Sequence, residues 1–224
     1  MTGGDTRGPL RAIVCDFGGV LTTPLVDAFA GVQAEAGIPP EALGQALADI
    51  AAADGRHPLF ELETGRMSER TFMTRLERAL ADHVGHEVRM VDFGEMYFAH
   101  LRPNGELIEY MRARRQDGYR MALCTNNVRE WEARWRRMLP VDEIFEVVVD
   151  SAFVGVRKPD LEIYQLTVER LGVSARECLF IDDFEVNCAA ARQMGMSTVQ
   201  FTSTEQALAE VTEVLRDRGR PLPP

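Results

Sequence analysis

The alternation of short apolar runs with amphipathic segments in the second half of the chain is the feature that most limits its fold. Runs typical of buried strands occupy residues 120–124, 146–150, 178–181 and 197–201. Segments with helical periodicity follow them, at 128–139, 160–171, 185–194 and 204–216. Because strand–helix repeats place parallel strands side by side with helices on both faces, the sequence predicts an α/β protein with a Rossmann-like, doubly wound parallel sheet.

A further strand is predicted close to the N-terminus. Residues 12–15 are apolar, and Asp16, Gly18 and Gly19 follow them. A short apolar run that ends in a Gly-rich turn is typical of a buried parallel strand. Open α/β sheets bind ligands at the carboxyl ends of their strands, so Asp16 is a candidate functional residue. Taken alone, this stretch fits a purely structural turn equally well.

The segment between this strand and residue 102 is predicted to be helical. Apolar residues recur with helical spacing at 25–37, 41–53, 69–82 and 91–101, and no strand-like run interrupts them. Another helix is predicted at 104–116. The predicted organisation is therefore a sheet-containing core (10–22 and 102–217), an inserted helical cap (23–101) and flexible tails (1–9 and 218–224).

Composition restricts the partners and the location. The formal net charge of −10 disfavours nucleic acid and anionic membrane surfaces, which require basic footprints. No apolar run approaches the roughly 20 residues that span a bilayer, and residues 1–9 contain no apolar signal segment. The four cysteines lack Cys-x-x-Cys spacing, and three of them lie in apolar, strand-like runs. This pattern is typical of buried thiols in a reducing compartment. A cytoplasmic protein is expected; the sequence leaves the oligomeric state open.

Polar residues follow the predicted strands. Thr125 and Asn126 come after the second predicted strand, a favourable place to bind an anion. The alternative is that they only cap the N-terminus of the next helix. Lys158 is the only lysine among the 25 basic residues, although a lone lysine usually lies on the surface. Asp182 and Asp183 follow a buried strand, and adjacent carboxylates there are costly without a cation. Hard oxygen ligands of this kind suit Mg²⁺.

These groups occur in an order that resembles the four motifs of the haloacid dehalogenase (HAD) superfamily, which consists mostly of phosphatases. The motifs are Asp16, Thr125-Asn126, Lys158-Pro159 and Asp182-Asp183. The helical insert is similar to the family's small cap. Its stretch from Glu63 to Ser68 resembles the branch of sugar-1-phosphatases and of the N-terminal phosphatase domain of soluble epoxide hydrolases.

The resemblance implies a role for each strand-end residue. The implied catalytic residues are Asp16, as the nucleophile that forms an aspartyl-phosphate, Thr125 and Lys158. The implied Mg²⁺ ligands are Asp16, the backbone carbonyl of Gly18, Asp182 and Asp183. The implied phosphate-binding residues are Thr125, Asn126 and Lys158. Asn187 is expected to orient Asp183 from behind. A metal and an ammonium group at this place would neutralise the repulsion between an anionic nucleophile and a phosphate.

Gly18 departs from the family pattern, which usually has a second aspartate there as general acid and base. Such a group contributes about 10²–10⁴-fold to a rate. The hypothesis is therefore a Mg²⁺-dependent phosphatase that acts on a small phosphorylated metabolite with a good leaving group, such as a sugar 1-phosphate or an acyl phosphate. In a second hypothesis a group from the cap or from the substrate replaces the acid. His57 is the best-placed histidine, and a solvated surface histidine is the alternative for it.

Two other classes of protein remain open. The first is a weak or inactive HAD-like protein that binds a phosphorylated ligand or a protein partner, for which Trp131 and Trp135 offer an aromatic surface between arginines. Packing of both rings against the protein's own sheet is the alternative for that pair. The second class is a 2-haloacid dehalogenase, which the paired carboxylates Asp182 and Asp183 disfavour.

Overall fold

The sheet consists of five parallel strands within residues 8–218, the part of the chain that the computed structural model describes. They are β1 (Ala12–Cys15), β2 (Arg120–Thr125), β3 (Val147–Asp150), β4 (Cys178–Asp182) and β5 (Ser197–Gln200). Their order in the sheet is β3-β2-β1-β4-β5, and every neighbouring pair is parallel. The predicted α/β class and all five predicted strands are confirmed.

Twelve helices accompany the sheet within the same residues. They are α1 (Leu25–Ala36), α2 (Pro40–Asp54), α3 (Pro58–Glu63), α4 (Glu69–Val84), α5 (Phe93–Ala99), α6 (Gly105–Gln116), α7 (Glu132–Trp135), α8 (Val141–Ile144), α9 (Ser151–Val154), α10 (Leu161–Leu171), α11 (Glu185–Gln193) and α12 (Thr204–Arg218). The predicted helix at 128–139 is wrong in length, because a 3₁₀ turn at Arg129–Trp131 precedes the four residues of α7.

The two faces of the sheet are buried in separate hydrophobic clusters. In β1, Ile13 and Cys15 point into one cluster, whereas Ala12 and Val14 point into the other, and all four are inaccessible to solvent. Residues of α6, α12 and the helical insert complete the first cluster, and residues of α10 and α11 complete the second. Since successive side chains of a strand point to opposite faces, an unbroken apolar run such as 12–15 requires this cover on both sides.

The order of the strands brings two acidic residues together. The chain adds β2 and β3 on one side of β1 and then crosses to add β4 and β5 on the other side, so β1 and β4 flank the switch point where doubly wound sheets bind ligands. The amide of Asp16 donates to the carbonyl of Ile181 at 2.9 Å and continues the β1–β4 pairing beyond the strand. Asp16 therefore lies beside Asp182, the last residue of β4.

The two segments that connect the helical insert (α1 to α5) to the sheet lie side by side. Thr22 forms an isolated antiparallel bridge with Pro103, and the amide of Thr23 donates to the carbonyl of Arg102 at 2.9 Å. This pairing lies next to the predicted cap boundaries at 22/23 and 101/102. The division into core and cap remains a prediction.

The ends of the described chain refine the predicted tails. Residues 1–7 and 219–224 of those tails lie outside the described residues. Arg218 does not belong to a tail, because it ends α12 and its guanidinium donates to the carbonyl oxygens of Gly8 and Arg176 at 3.0 and 3.1 Å. Over residues 8–218, no helix has the length and apolar character needed to cross a membrane.

Candidate active site

A buried ammonium group lies between two carboxylates at the carboxyl edge of the sheet. The Nζ atom of Lys158 is 2.7 Å from Oδ1 of Asp16 and 2.7 Å from Oδ2 of Asp182. The Lys158 side chain is only 1% exposed. Burial alone would lower the pKa of Lys158, but the two carboxylates hold it well above its usual value. The single lysine of the chain therefore remains charged inside the protein.

Asn126 holds the backbone of Lys158 in place. Its Oδ1 accepts a hydrogen bond from the Lys158 amide at 2.8 Å, and its Nδ2 donates to the Lys158 carbonyl at 3.0 Å. Both polar ends of one side chain are thus used on a single residue of another loop. Thr125, the last residue of β2, is 1% exposed, and within residues 8–218 its hydroxyl makes only a 3.5 Å contact with the Asn126 carbonyl. The Thr125 hydroxyl is consequently available to a ligand.

Asp182 is fully engaged by protein donors. Its Oδ1 accepts from the amide of Phe184 and from Nδ2 of Asn187, both at 2.9 Å, while its Oδ2 receives Lys158. The prediction that Asn187 orients Asp183 is wrong. Asn187 lies in the first turn of α11, which places its side-chain amide against Asp182. Asn187 therefore orients Asp182, the carboxylate that accepts a hydrogen bond from Lys158.

Asp16, Asp182 and Asp183 form a three-carboxylate cluster whose nearest oxygens lie within 4.8 Å of one another. Oδ1 of Asp183 is buried and has no hydrogen-bond partner among the described residues. Burial raises the pKa of Asp16 to about 8 against the opposing effect of Lys158, and burial followed by the charge of Asp182 raises the pKa of Asp183 to about 6. One ammonium does not balance the charge of three carboxylates, and one oxygen of the cluster has no protein donor among the described residues. The cluster therefore fits a hard divalent cation.

Gly19 is required by two features of the loop after β1. Its φ of 80° lies in the left-handed region, and a Cβ atom at this position would be 2.5 Å from Oδ2 of Asp183. A side chain here would be strained and would displace that carboxylate. The loop after β1 and the Asp183 carboxylate can approach each other only because residue 19 is glycine.

The space beside Gly18 is filled by a residue of α1. A Cβ atom at position 18 would lie 2.9 Å from both terminal methyl carbons of Leu25. Leu25 is half-buried and lines the same cavity as Asp16. An apolar side chain thus occupies the place into which a carboxylate at position 18 would extend. Sequence reasoning did not find Leu25, because its helical pattern indicates only that it begins a helix.

The predicted site residues line one large cavity of about 1270 Å³ between the sheet edge and the helical insert. Asp16, Gly18, Thr125, Asn126 and Lys158 are part of its wall. Of the metal-site carboxylates, Asp16 alone lines the cavity, while Asp182 and Asp183 lie behind it.

His57 also lines this cavity, as the residue before α3. Its ring stacks on Phe60 with 4.6 Å between the ring centroids, and its Nδ1 is buried without a partner among the described residues. Burial and the nearby charge of Arg157 lower the pKa of His57, which favours a neutral imidazole. Two other histidines bind elsewhere, His83 to Asp49 and His100 to Glu35. A chemical role for His57 remains a prediction.

The stretch that begins at Glu63 connects the insert to the core. Oε2 of Glu63 forms an ion pair with Nε of Arg157 at 2.6 Å, and the carbonyl of Glu63 accepts from the Ser151 hydroxyl. Gly65 has a φ of 67°, and a Cβ atom there would overlap the carbonyl oxygen of Ala152. The sequence singled out this stretch by resemblance alone; its contacts lie 88 and 94 residues away in the chain.

The two tryptophans pack inside the protein. Trp135 is inaccessible to solvent, and Trp131 is 7% exposed and donates from Nε1 to Glu69 at 2.7 Å. Trp131 also stacks on Tyr97 with ring centroids 5.0 Å apart. Both rings are buried, so they do not supply an exposed aromatic surface. The predicted packing against the sheet is wrong for the ring contacts of Trp131, which are with side chains of α5.

Comparison with known proteins places this site in a known family. The chain belongs to the haloacid dehalogenase-like hydrolases, whose family model matches residues 10–195. The chain is 31% identical over 161 residues to phosphatase MT3486 of Mycobacterium tuberculosis, covering 70% of this chain and 71% of that protein. It is 26% identical over 211 residues to mouse acyl-CoA dehydrogenase family member 10, covering 92% of this chain but only 19% of that protein. The chain spans 19% to 59% of the length of seven such relatives.

Solved structures share the fold. A HAD-like family hydrolase from Porphyromonas gingivalis superposes with a TM-score of 0.69 at 26% identity, covering 93% of this chain and 99% of that one. A HAD family enzyme from Bacteroides thetaiotaomicron, solved in complex with magnesium and inorganic phosphate, superposes with a TM-score of 0.61 at 20% identity, covering 87% and 96%. The predicted family is confirmed.

Proposed function

We propose that this protein is a Mg²⁺-dependent phosphomonoester hydrolase that works through an aspartyl-phosphate on Asp16. The observation that carries the proposal is the contact of the Asp16 carboxylate with the buried ammonium of Lys158, at one end of a cavity and beside two further carboxylates. Family membership and the phosphatase among the relatives support hydrolysis of phosphate esters.

The two chemical steps assign a role to Asp16. In the first step a carboxylate oxygen of Asp16 attacks phosphorus, and the bond from phosphorus to the leaving oxygen breaks with its electron pair on that oxygen. In the second step water attacks phosphorus, and the bond to Asp16 breaks. The products are inorganic phosphate and the regenerated carboxylate. Burial beside a fixed cation holds Asp16 in one position for both attacks.

Lys158, Thr125 and Asn126 bind the phosphoryl group in this proposal. Lys158 lies within hydrogen-bond distance of the nucleophile and offsets the repulsion between carboxylate and phosphate. Thr125 and Asn126 line the cavity, where the Thr125 hydroxyl and the backbone amide of Asn126 can donate to phosphoryl oxygens. Two asparagine side chains position these groups: that of Asn187 orients Asp182, and that of Asn126 fixes the backbone of Lys158.

Asp16, the Gly18 carbonyl and Asp183 would hold Mg²⁺, with Asp182 nearby. Asp183 is the strongest candidate, because its buried Oδ1 has no partner among the described residues. Asp182 already has protein donors on both oxygens, which favours an indirect role. When bound, Mg²⁺ would supply positive charge to the phosphoryl oxygens and to the carboxylates. The enzyme of the same fold that was solved with magnesium and inorganic phosphate supports the choice of metal.

Gly18 sets the kind of ester that reacts fast. Neither position 18 nor Leu25, which fills the adjacent space, can protonate a leaving oxygen. The loss of such a group costs about 10²–10⁴-fold with a poor leaving group and little with a good one. The proposed substrate is therefore an activated phosphate ester, such as an anomeric or acyl phosphate, of a small metabolite.

Two alternatives are tested by the same experiment. A protein that only binds a phosphorylated ligand would have no use for a nucleophile held against Lys158. A 2-haloacid dehalogenase would not need the three-carboxylate cluster. The experiment measures phosphate release with and without Mg²⁺ from acetyl phosphate, glucose 1-phosphate and glycerol 3-phosphate, with Asp16→Asn as control. Release that needs Mg²⁺ and Asp16 and favours the first two esters supports the proposal; no release from any of them contradicts it.

A further inference from the structure

The cavity that begins at Asp16 continues into an apolar chamber within the helical insert. Beyond the strand-end residues, side chains of four helices form much of its wall: Leu25, Phe29, Leu43, Leu47, Leu59 and Phe93. None of these side chains carries a hydrogen-bonding atom. The volume of about 1270 Å³ also exceeds the roughly 300–1000 Å³ typical of small-molecule pockets. A phosphate group alone would leave most of this chamber unfilled.

Several polar residues in the chamber wall are already engaged with protein partners. Nε2 of Gln33 donates to two backbone carbonyls at 3.2 Å. Glu63 is paired with Arg157 at 2.6 Å, and the indole of Trp131 donates to Glu69. A ligand rich in hydroxyl groups would bury them against carbon atoms, where unpaired polar groups are costly. The wall thus disfavours a polyol in the chamber.

Exposed apolar side chains are concentrated at the same cavity. The structure describes six large apolar residues that are strongly exposed, and four of them line the cavity: Val26, Phe60, Phe184 and Val186. The other two, Val91 and Phe153, lie elsewhere. Exposed apolar side chains that line a common cavity are typical of a ligand-binding groove, so these four favour an apolar ligand.

From these observations we infer that the substrate carries an apolar chain, which enters the chamber while the phosphate lies at Asp16 and Lys158. This inference rests on the proposed function and adds the substrate class: an amphiphilic phosphomonoester, activated at the ester oxygen, such as a long-chain acyl phosphate. Leu25 lies between the phosphate site and the chamber: it fills the space beside Gly18, so the first atoms of the leaving group would contact an apolar side chain and not an acid.

Binding of alkylphosphonic acids tests the inference without turnover. Methyl-, butyl- and octylphosphonic acid share one head group, and titration calorimetry with Mg²⁺ measures their affinities below micelle-forming concentrations. Each buried methylene should tighten binding about fourfold, so octylphosphonic acid should bind at least tenfold more tightly than the butyl compound. Excess inorganic phosphate should displace it. Equal affinities, or octylphosphonic acid that phosphate does not displace, would overturn the inference.

Two pairs of matched variants locate the chain-binding surface. Val26 and Val91 are both 71% exposed, and only Val26 lines the cavity. Phe60 and Phe153 are 44% and 47% exposed, and each lies beneath an arginine, yet only Phe60 lines the cavity. We expect Val26→Asn and Phe60→Ser to weaken octylphosphonic acid several-fold while leaving methylphosphonic acid unchanged. Val91→Asn and Phe153→Ser should change neither; equal effects within each pair would contradict the inference.

Turnover distinguishes this inference from the proposed function. Phosphate release from butyryl phosphate and decanoyl phosphate compares two esters with the same leaving chemistry. A lower KM for decanoyl phosphate, by tenfold or more, supports both proposals. Release from both esters with equal KM values leaves the phosphatase intact and overturns the apolar-chain inference. Tight octylphosphonic acid binding without release from either ester overturns the phosphatase proposal alone.

Discussion

Leu25 occupies the space that a side chain at position 18 would enter: both of its terminal methyl carbons lie 2.9 Å from the place of a Cβ atom on Gly18. The two positions are therefore a matched pair, with glycine after β1 and leucine at the first turn of α1. A carboxylate at position 18 cannot be accommodated unless Leu25 moves or shrinks. The glycine at position 18 and the apolar side chain of Leu25 therefore occur together beside Asp16.

Restoring the acid should require both positions. We expect Gly18→Asp alone to raise turnover of glycerol 3-phosphate little, because Leu25 must be displaced. The double variant Gly18→Asp/Leu25→Ala should raise it at least tenfold, toward the 10²–10⁴ range of general acid catalysis. Steady-state kinetics of wild type, both single variants and the double variant give the coupling between the sites. Additive effects would show that Leu25 does not restrict position 18.

Replacement of Gly19 should weaken Mg²⁺ binding. A methyl group at position 19 would push against Oδ2 of Asp183, in addition to straining a φ of 80°. Gly85→Ala is the matched control, because Gly85 has a φ of 75° and nothing lies within 4 Å of its Cβ position. Calorimetric titration with Mg²⁺ should show at least tenfold weaker binding for Gly19→Ala and no change for Gly85→Ala. Equal Mg²⁺ affinities of the two variants would show that Gly19 does not affect metal binding.

Lys158→Met should destabilise the protein most at high pH. The change leaves Asp16 and Asp182 buried without a cation, and breaking a buried ion pair costs about 3–5 kcal/mol. Burial raises the pKa of Asp16 against the opposing effect of Lys158, and loss of the ammonium should raise this pKa further, so the stability of the variant falls as the pH rises. Urea unfolding without Mg²⁺ should give a larger loss at pH 8 than at pH 5. A loss that does not depend on pH would contradict the charge argument.

Asp150 provides a second pH dependence, away from the metal cluster. Burial raises its pKa to about 7; its Oδ1 accepts from the Ala152 amide at 2.9 Å, and its Oδ2 is buried without a partner among the described residues. The folded protein retains this proton between about pH 4, where an unfolded aspartate ionises, and pH 7, so rising pH lowers stability across that window.

The variant Asp150→Asn tests this dependence, because it keeps an acceptor for the Ala152 amide and cannot ionise. The free energy of unfolding of the wild type should fall relative to that of the variant as the pH rises from about 5 to about 7.5. Urea unfolding of both proteins across this range measures the difference. A difference that stays constant with pH would contradict the assignment.

The sequence predicted what depends on local pattern. Four strands contain short apolar runs, and β5 (Ser197–Gln200) follows from the strand–helix alternation; the parallel arrangement then places Asp16, Thr125 and Asp182 at the carboxyl end of the sheet. The short helices α3 and α9 were missed, since six and four residues are too few for helical periodicity to show.

Contacts between distant segments could not be predicted in the same way. The two hydrogen bonds between Asn126 and Lys158 join residues that are 32 positions apart in the sequence. Asn187 contacts Asp182 and not Asp183 because of the orientation of α11 relative to β4. The apolar chamber depends on how the helices of the insert pack over the sheet edge. The sequence predicted an activated ester from Gly18 but left its organic part open, whereas the chamber wall favours an apolar leaving group.

Covalent labelling of Asp16 is the most direct test of the central claim. Position 18 offers no base to activate water, so hydrolysis of the aspartyl-phosphate should be slower than its formation from an activated ester. Rapid mixing with p-nitrophenyl phosphate and Mg²⁺ should give a burst of nitrophenolate of about one equivalent per protein. Mass spectrometry of the acid-quenched protein should place the phosphoryl group on Asp16. A linear time course with no label, or unchanged turnover by Asp16→Asn, would contradict the account.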